Sequence, residues 1–399
     1  MNGDSRRAED TMHNAQGMNR RDFLKVGIAG TTAALLTGDA LAETVRHLAA
    51  DPFAFPKPVY RTLGRTGLKV TVVSFGAMLT PEPEVLRVAF DNGINYVDTA
   101  RRYMGGKNEE IVGQALKGRR DKVYVATKTQ PASISKDDIF KDVETSLKKL
   151  GTDYIDVIQL HNLDGKERIL IAETREALLK LKEQGKVRFF GVTTHKNESE
   201  VLSALVDDKD RFFDTALVAY NFKSGKDVAA AIERAAKAGV GIIAMKTQQG
   251  GYTASALGNI SPHQAALKWA LQNQHVATAI PGMKDMAQLR EDIAVMGMRF
   301  SARDERILKR YNAAIAPYYC AFCGKCESTC PQGVKISTIN RSLMYAEGYK
   351  SGELALTTYR EIPLSASAAV CANCPACTAQ CVNGLDIAAK MERARIILA

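Results

Sequence analysis

The sequence predicts an α/β fold: a closed (β/α)8 TIM barrel followed by a smaller, helical C-terminal domain. Three observations carry the prediction. Apolar, β-rich runs alternate with amphipathic stretches eight times, all eight cysteines of the 399-residue chain fall in its last 80 positions, and the N-terminal stretch resembles neither region in composition. The candidate strands are Lys69–Gly76, Ile94–Thr99, Lys122–Lys128, Tyr154–His161, Val187–Thr193, Thr215–Tyr220, Val240–Lys246 and Val276–Ile280. Between them lie helical patterns such as Lys136–Leu150, Glu173–Gln184, Lys226–Ala238 and His263–Gln272. Several of the connections carry Gly where a helix would end, at Gly93, Gly151, Gly185 and Gly239, because a left-handed residue caps a helix at least cost there. Strands that alternate with helices form a parallel sheet, and eight units in roughly 250 residues suit a closed barrel. No Gly-x-Gly-x-x-Gly follows the first strand, so a doubly wound dinucleotide fold is the lesser option.

The N-terminus reads as an address. Asn19-Arg20-Arg21-Asp22-Phe23-Leu24-Lys25 opens a mildly apolar stretch from Val26 to Leu36, which leads to Ala40-Leu41-Ala42. A charged start, a short apolar centre and a small-x-small exit make a signal peptide. The Arg pair before Phe-Leu-Lys resembles the twin-arginine export signal. The apolar stretch is about half of the ~20 residues a membrane-spanning helix needs. Cleavage is expected after Ala42, which leaves no stable membrane span, and the twin-arginine translocase is the expected partner during export to the periplasm or beyond. The expected divisions are a signal peptide at 1–42, a linker at 43–58, the barrel at 59–315 and the helical domain at 316–399. Formal net charge is +10, and the signal segment contributes nothing to it, with five basic and five acidic residues. No basic run is interleaved with aromatics, which speaks against nucleic-acid binding. An acidic redox partner, or solubility alone, accounts for the excess.

Polar residues recur where barrel strands end. Asp98, Lys128 and His161 sit at or near the C-terminal ends of three successive predicted strands, and Tyr103 follows in the loop after Asp98. Barrel active sites are built at that face, so the four should converge on one mouth. Tyr, Lys, Asp and His together suit carbonyl chemistry. Lys lowers the Tyr pKa, Asp holds the Lys, and His hydrogen-bonds a carbonyl oxygen. Taken singly, each is an ordinary surface or packing residue.

The segments Tyr60-Arg-Thr-Leu-Gly-Arg-Thr-Gly-Leu-Lys69, Asn95-Tyr-Val-Asp-Thr-Ala100, Ala126-Thr-Lys128, Gln159-Leu-His161 and Ile280-Pro-Gly282 resemble the aldo/keto reductase family, in the family's order over roughly residues 59–300. The resemblance implies Tyr103 as the general acid, Lys128 and Asp98 as the groups that tune it, and His161 as the group that orients a carbonyl or alcohol substrate. It also implies a nicotinamide cofactor, NADP or NAD, across the barrel mouth. The cofactor contacts so implied are Gly76, Met78, Thr193, Thr194, Tyr220, Asn221, Lys246, Gly282, Gln288 and Asp292. The sequence departs from the family pattern at several of them. Thr193-Thr194 stand where Ser-Asn is common, Leu217 replaces an amide, Asp292 replaces Asn, and Gly282 stands where some members place a Lys.

The cysteines define the second domain. Cys320, Cys323, Cys326 and Cys330, then Cys371, Cys374, Cys377 and Cys381, repeat the spacing C-x2-C-x2-C-x3-C. Three thiolates on a tight loop wrap one face of a cubane, and in two-cluster ferredoxins the fourth ligates the other cluster. The expected ligand sets for two [4Fe–4S] clusters are therefore Cys320, Cys323, Cys326 and Cys381, and Cys371, Cys374, Cys377 and Cys330. Structural zinc would more often use two separated C-x2-C pairs, and cysteines three apart make an awkward disulfide framework. Residues 336–359 read as helical, which favours an α-helical ferredoxin-like domain. Pro331 follows the first set as the motif prefers, whereas Val382 follows the second.

The sequence thus predicts an exported iron–sulfur oxidoreductase with clusters that relay electrons, and a redox partner protein is expected with it. A nicotinamide moves a hydride and a cluster moves one electron, yet no flavin motif bridges them. Three resolutions stay open: a nicotinamide bound before export, chemistry driven from the clusters, or clusters that are structural. The rival is an electron-transfer protein in which the barrel is only a docking platform.

Overall fold

Alternation of side chains along a strand decides what a barrel puts inside and what it turns toward its helices. The computed structural model describes residues 55–130, 133, 135–252, 257 and 261–398. The predicted signal peptide, and the linker as far as residue 54, lie outside the described residues. The first two strands, β1 (Tyr60–Thr62) and β2 (Lys69–Thr71), pair antiparallel as a hairpin. Eight further strands follow in parallel: β3 (Phe75–Gly76), β4 (Tyr96–Asp98), β5 (Tyr124–Lys128), β6 (Ile155–Leu163), β7 (Val187–Thr194), β8 (Thr215–Ala219), β9 (Gly241–Met245) and β10 (Val276–Ala279). They pair in sequence order. Parallel bridges from Val73 to Ala279 and from Gly76 to Gly282 join the first barrel strand to the last and close the cylinder.

The predicted first strand, Lys69–Gly76, is divided by the structure. Its front half serves the hairpin, and only Phe75–Gly76 joins the barrel. The Ser74 hydroxyl donates to the Thr71 carbonyl at 2.9 Å, a side-chain bond that competes with the ladder where the chain turns. The hairpin plugs one end of the barrel. Its Leu63, Leu68 and Val70 pack on the inward side chains Ala126, Val157, Leu217 and Ile243. Neighbours in the strands, such as Val125, Ile158, Ala216 and Ile242, pack outward with the helices.

One helix follows each barrel strand: α1 (Pro83–Asp91), α2 (Asn108–Leu116), α3 (Lys136–Leu150), α4 (Ala172–Glu183), α5 (Glu198–Asp207), α6 (Lys226–Lys237), α7 (His263–Gln272) and α8 (Met286–Ile293). Ser135 caps α3 by accepting from the Asp138 amide, as an Ncap hydroxyl does. The glycines foreseen at helix ends, Gly93, Gly151, Gly185 and Gly239, all take positive φ.

Beyond the barrel, α9 (Ala302–Ile315) begins with a capping box between Ser301 and Asp304. The cysteine-rich remainder holds α10 (Ile336–Glu347), α11 (Gly352–Tyr359) and α12 (Ile387–Ile397), without a strand among its described residues. The segment 336–359, predicted to be helical, forms two helices divided where Gly348 meets the loop after β9. A Cβ on Gly348 would overlap the carbonyl oxygen of Gly250, and one on Gly250 would strike Met344. Backbone therefore lies directly on backbone where the helical region meets the barrel. Residues 55–399 form one compact unit, and ion pairs Arg102–Glu361 at 2.7 Å and Lys196–Glu327 at 3.2 Å tie its parts together. No helix of the described residues is long and apolar enough to cross a membrane.

Gly348→Ala should cost about 1–3 kcal/mol, the usual penalty of forcing volume into a packed contact. A lowered thermal midpoint relative to the parent protein would reveal it.

Candidate active site at the barrel mouth

Continuing the inward alternation toward the C-terminal ends of the strands builds the site. Tyr96 and Ala126 face inward, so two residues on Asp98 and Lys128 do too. Val157 likewise predicts Gln159 and His161. In the ladder Asp98 pairs with Ala126, and Lys128 with Gln159. Asp98 is 3 % exposed and Lys128 1 %. The Lys128 ammonium donates to the Asp98 carboxylate and, at 2.7 Å, to the Thr99 carbonyl. Gln159 Nε2 donates to the second Asp98 oxygen at 2.8 Å. Burial raises the Asp98 pKa although Lys128 and Gln159 oppose it. Burial lowers that of Lys128 although Asp98 opposes it. Desolvation disfavours each charge, and the pairing restores it.

Tyr103 stands beside this pair. The Lys128 ammonium lies 4.8 Å from the centre of the Tyr103 ring, and the Tyr103 and His161 rings meet edge to face with centroids 6.2 Å apart. The expected lowering of the Tyr103 pKa is not found. Burial pushes it well above the ordinary tyrosine value, and Asp98, Tyr345 and Tyr349 push the same way against Arg341. Lys128 is committed to Asp98 and meets the face of the ring, so Tyr103 is a neutral phenol. His161 is 9 % exposed, with Nδ1 buried and unpartnered. Burial, then Lys128, Arg102 and Arg341, hold its pKa well below 6.5, so it is the neutral imidazole at pH 7.

These groups open into a cavity of about 360 Å³ whose lining includes Asp98, Tyr103 and His161. Of the expected cofactor contacts, Gly76, Met78, Lys246, Gly282, Gln288 and Asp292 line it, while Thr193, Thr194, Tyr220 and Asn221 do not. Alternation explains two of those. Leu217 faces inward, so Tyr220 faces out, where its hydroxyl accepts from Asn273 at 3.2 Å. Thr194 is likewise out of phase with the inward Thr193, which accepts from the Asn162 amide at 2.8 Å. Asn221 braces the loop after β9 by donating to the Lys246 carbonyl and accepting from Gln249. Asp292 accepts from Gln248, and burial followed by Glu291 drives its pKa well up. Gly282 faces open space, with nothing within 4 Å of where a Cβ would stand.

The helical region roofs the mouth with residues that sequence reasoning missed. Arg341, Tyr345 and Tyr349 line the cavity. Lys246 donates to the hydroxyls of Tyr345 at 3.2 Å and Tyr349 at 3.4 Å. Burial works against the Lys246 charge, but the two tyrosines outweigh it and hold its pKa above the usual value. His195 also lines the cavity, its pKa held far down by burial and then by Arg341 and Lys246. It lies two residues beyond Thr193, and the strand-end signal that marks His161 would have found it. Met104, Asn162, Lys246 and Gln249, all around the mouth, take positive φ without being glycine. Strain of this kind gathers at functional sites.

None of the eight cysteines forms a disulfide. The electrostatic neighbours of Cys320 are Cys326, Cys323 and Cys381, and those of Cys371 are Cys374, Cys330 and Cys377. Burial above all pushes the Cys320 thiol up to about 12 and the Cys326 thiol up to about 11. Backbone amides donate to sulfur, Phe322 to Cys320 at 3.3 Å and Asn383 to Cys381 at 3.4 Å. Among the described residues no three His, Cys, Asp or Glu side chains converge on a single metal ion.

A closed parallel barrel with a buried Asp–Lys pair beneath Tyr and His at its C-terminal mouth defines a barrel with an acid–base site. Residues 81–258 match the aldo/keto reductase family. The chain is 37% identical over 151 residues to L-galactose dehydrogenase of Arabidopsis thaliana, covering 33% of this chain and 47% of that protein. It is 29% identical over 313 residues to the uncharacterized oxidoreductase YrpG of Bacillus subtilis, covering 63% and 94%. The aldo-keto reductase AKR11C1 from Bacillus halodurans superposes with TM-score 0.53 at 26% identity, over 63% of this chain and 96% of that one. The chain spans about half the length of curated relatives such as the Arabidopsis enzyme. The barrel is thus of the aldo/keto reductase type.

Lys128→Met strands the Asp98 charge and should cost about 3–5 kcal/mol; adding Asp98→Asn should return part of it, as urea unfolding would show. Because the folded pKa of His161 is depressed, its contribution to stability is whole above about pH 6.5 and is lost as the pH falls toward the folded value. The slope reaches at most about 1.4 kcal/mol per pH unit, and His161→Gln should flatten it in unfolding measured from pH 7 to 5.

Proposed function

We propose that the chain is an exported oxidoreductase that interconverts a carbonyl and an alcohol at the barrel mouth, using NADP or NAD, with two [4Fe–4S] clusters in the helical region relaying electrons. The observation that carries it is the neutral Tyr103 phenol set between the Lys128–Asp98 pair and the neutral His161. In the reducing direction the carbonyl π bond breaks as hydride reaches carbon and the Tyr103 proton reaches oxygen. Lys128 stabilises the charge left on the phenol through the ring face. His161, a neutral imidazole, donates a ring N–H to the same oxygen. A nicotinamide, when bound, supplies the hydride or takes it back. Gly76, Met78, Lys246, Gly282, Gln288 and Asp292 would hold it, and the open space over Gly282 suits it.

The two groups of neighbouring thiols support the cluster reading, since each unites three cysteines of one set with the last of the other. Four thiolates holding a cubane share no single ion, and the amide-to-sulfur bonds suit ligating sulfurs. Such clusters would pass electrons singly to a partner, and the net charge of +10 favours an acidic one. Export rests on Arg20-Arg21 and the apolar stretch after them, with the division at residues 1–42, 43–58, 59–315 and 316–399.

Tyr103→Phe should lower turnover by roughly 10²- to 10⁴-fold, the usual worth of a positioned acid, with iron held at about eight per chain. Anaerobic assay of carbonyl reduction beside iron and sulfide analysis tests both parts. Unchanged electron transfer to an acceptor with no carbonyl turnover in either protein would favour the docking-platform reading.

A further inference from the structure

Arg341, on α10 of the helical region, is a buried cation without a counter-charge. It is 9 % exposed, and its Nη1 donates to the Asn162 side-chain oxygen at 3.2 Å. Its Nε is buried with no partner, and no ion pair joins Arg341 to a carboxylate among the described residues. The other charges around the cavity are largely spoken for. Asp98 is paired with Lys128 and Glu361 with Arg102, while Asp292 accepts from Gln248. Lys246 has only the two tyrosine hydroxyls and the faces of their rings. Arg341, buried, and Lys246, half-buried, thus line the cavity without an ion pair to a carboxylate among the described residues, and the remaining carboxylate of the lining, Glu291, stands apart on α8. A buried guanidinium left unpaired is costly, and a ligand that brings the opposite charge removes that cost.

The place of Arg341 says which ligand. Its charge acts on Tyr103, His161 and His195, and its partner Asn162 follows His161 directly. Gln288 and Asp292, by contrast, lie on α8 after the last strand. We infer that Arg341 binds an oxyanion carried by the substrate itself, a carboxylate or phosphate group near the carbonyl or hydroxyl that reacts at Tyr103. The substrate class is an oxo acid or hydroxy acid, or the corresponding phosphate ester, rather than a neutral ketone. Nε–H and the free edge of the guanidinium offer the paired donors that such an oxyanion takes. Because Arg341 belongs to the helical region, that region completes the substrate site of the barrel. This inference rests on the carbonyl–alcohol reading of the mouth.

The test uses the full chain purified anaerobically, with 2-oxobutyrate, its methyl ester and inorganic phosphate as probes in calorimetric titrations at low salt. The expected result is that at least one of the two anions binds, that the ester does not compete, and that Arg341→Gln weakens the anion by roughly 10- to 100-fold. Arg341→Lys should keep part of the affinity. A preference for 2-oxobutyrate identifies a carboxylate, and a preference for phosphate a phosphate ester. Equal binding of the anion to parent and Arg341→Gln, or no anion binding at all, would overturn the assignment. So would an Arg341→Gln protein that loses NADPH or NADH binding but keeps its anion binding, since the residue would then serve the cofactor. Neutral ketones reduced by the parent as efficiently as 2-oxobutyrate would sink the inference and leave the proposed activity standing. Anion binding lost in the variant, without carbonyl turnover in the parent, would do the reverse.

Discussion

Lys128 and Asp98 impose the constraint from which the mouth is organised. Two charges placed almost wholly out of water are tolerable only in contact, and contact requires neighbouring strands in one particular register. The pairing of Asp98 with Ala126, and of Lys128 with Gln159, provides it. Gln159 then saturates the second carboxylate oxygen, and the ammonium finds a carbonyl as well. Once that pair is fixed, Tyr103 has a cationic surface against its ring and His161 a reason to stay neutral. A slip by one residue in either strand would turn a charge toward the aliphatic side chains under the helices.

The roof is the second organising element. Arg102–Glu361 and Lys196–Glu327 fasten it by charge, and Gly348 on Gly250 fastens it by close approach. The tyrosine pair from α10 and its end stacks with ring centroids 5.6 Å apart and takes the Lys246 ammonium. Lys246 itself leaves the strand with φ 57, so the backbone bends to deliver that charge. The hydroxyls of Tyr345 and Tyr349 receive it there, at 3.2 and 3.4 Å.

Much of this was legible in the sequence because a barrel is written in a period of two and its chemistry falls at strand ends. Asp98, Lys128 and His161 obey that rule, and the helices Lys136–Leu150 and His263–Gln272 run as expected. The second strand of the hairpin was hidden inside the run Lys69–Gly76, because Val70 and Val72 read alike whether they pair toward β1 or enter the barrel. Tyr220 was assigned by likeness although alternation turns it away. Arg341, Tyr345 and Tyr349 carried no signal, since a helix face gives no sign of what it will cover. The pKa of Tyr103 was misjudged because spacing tells which groups meet, not whether a cation meets the oxygen or the ring.

The closure of the cylinder has a consequence for the order in which the molecule can be completed. The amide of Ser74 bonds to the carbonyl of Ala279, so the earliest barrel strand waits for the latest one to leave the ribosome. The cavity waits longer still, because Tyr103 faces a ceiling supplied by Tyr345 and Tyr349. Contacts so distant along the chain form slowly. A nascent chain stalled before α10 could hold all of its strands and still have only a partly finished pocket wall. Completion of this site is therefore a late event in the life of each molecule, and it reports that nearly the whole polypeptide has been made and folded.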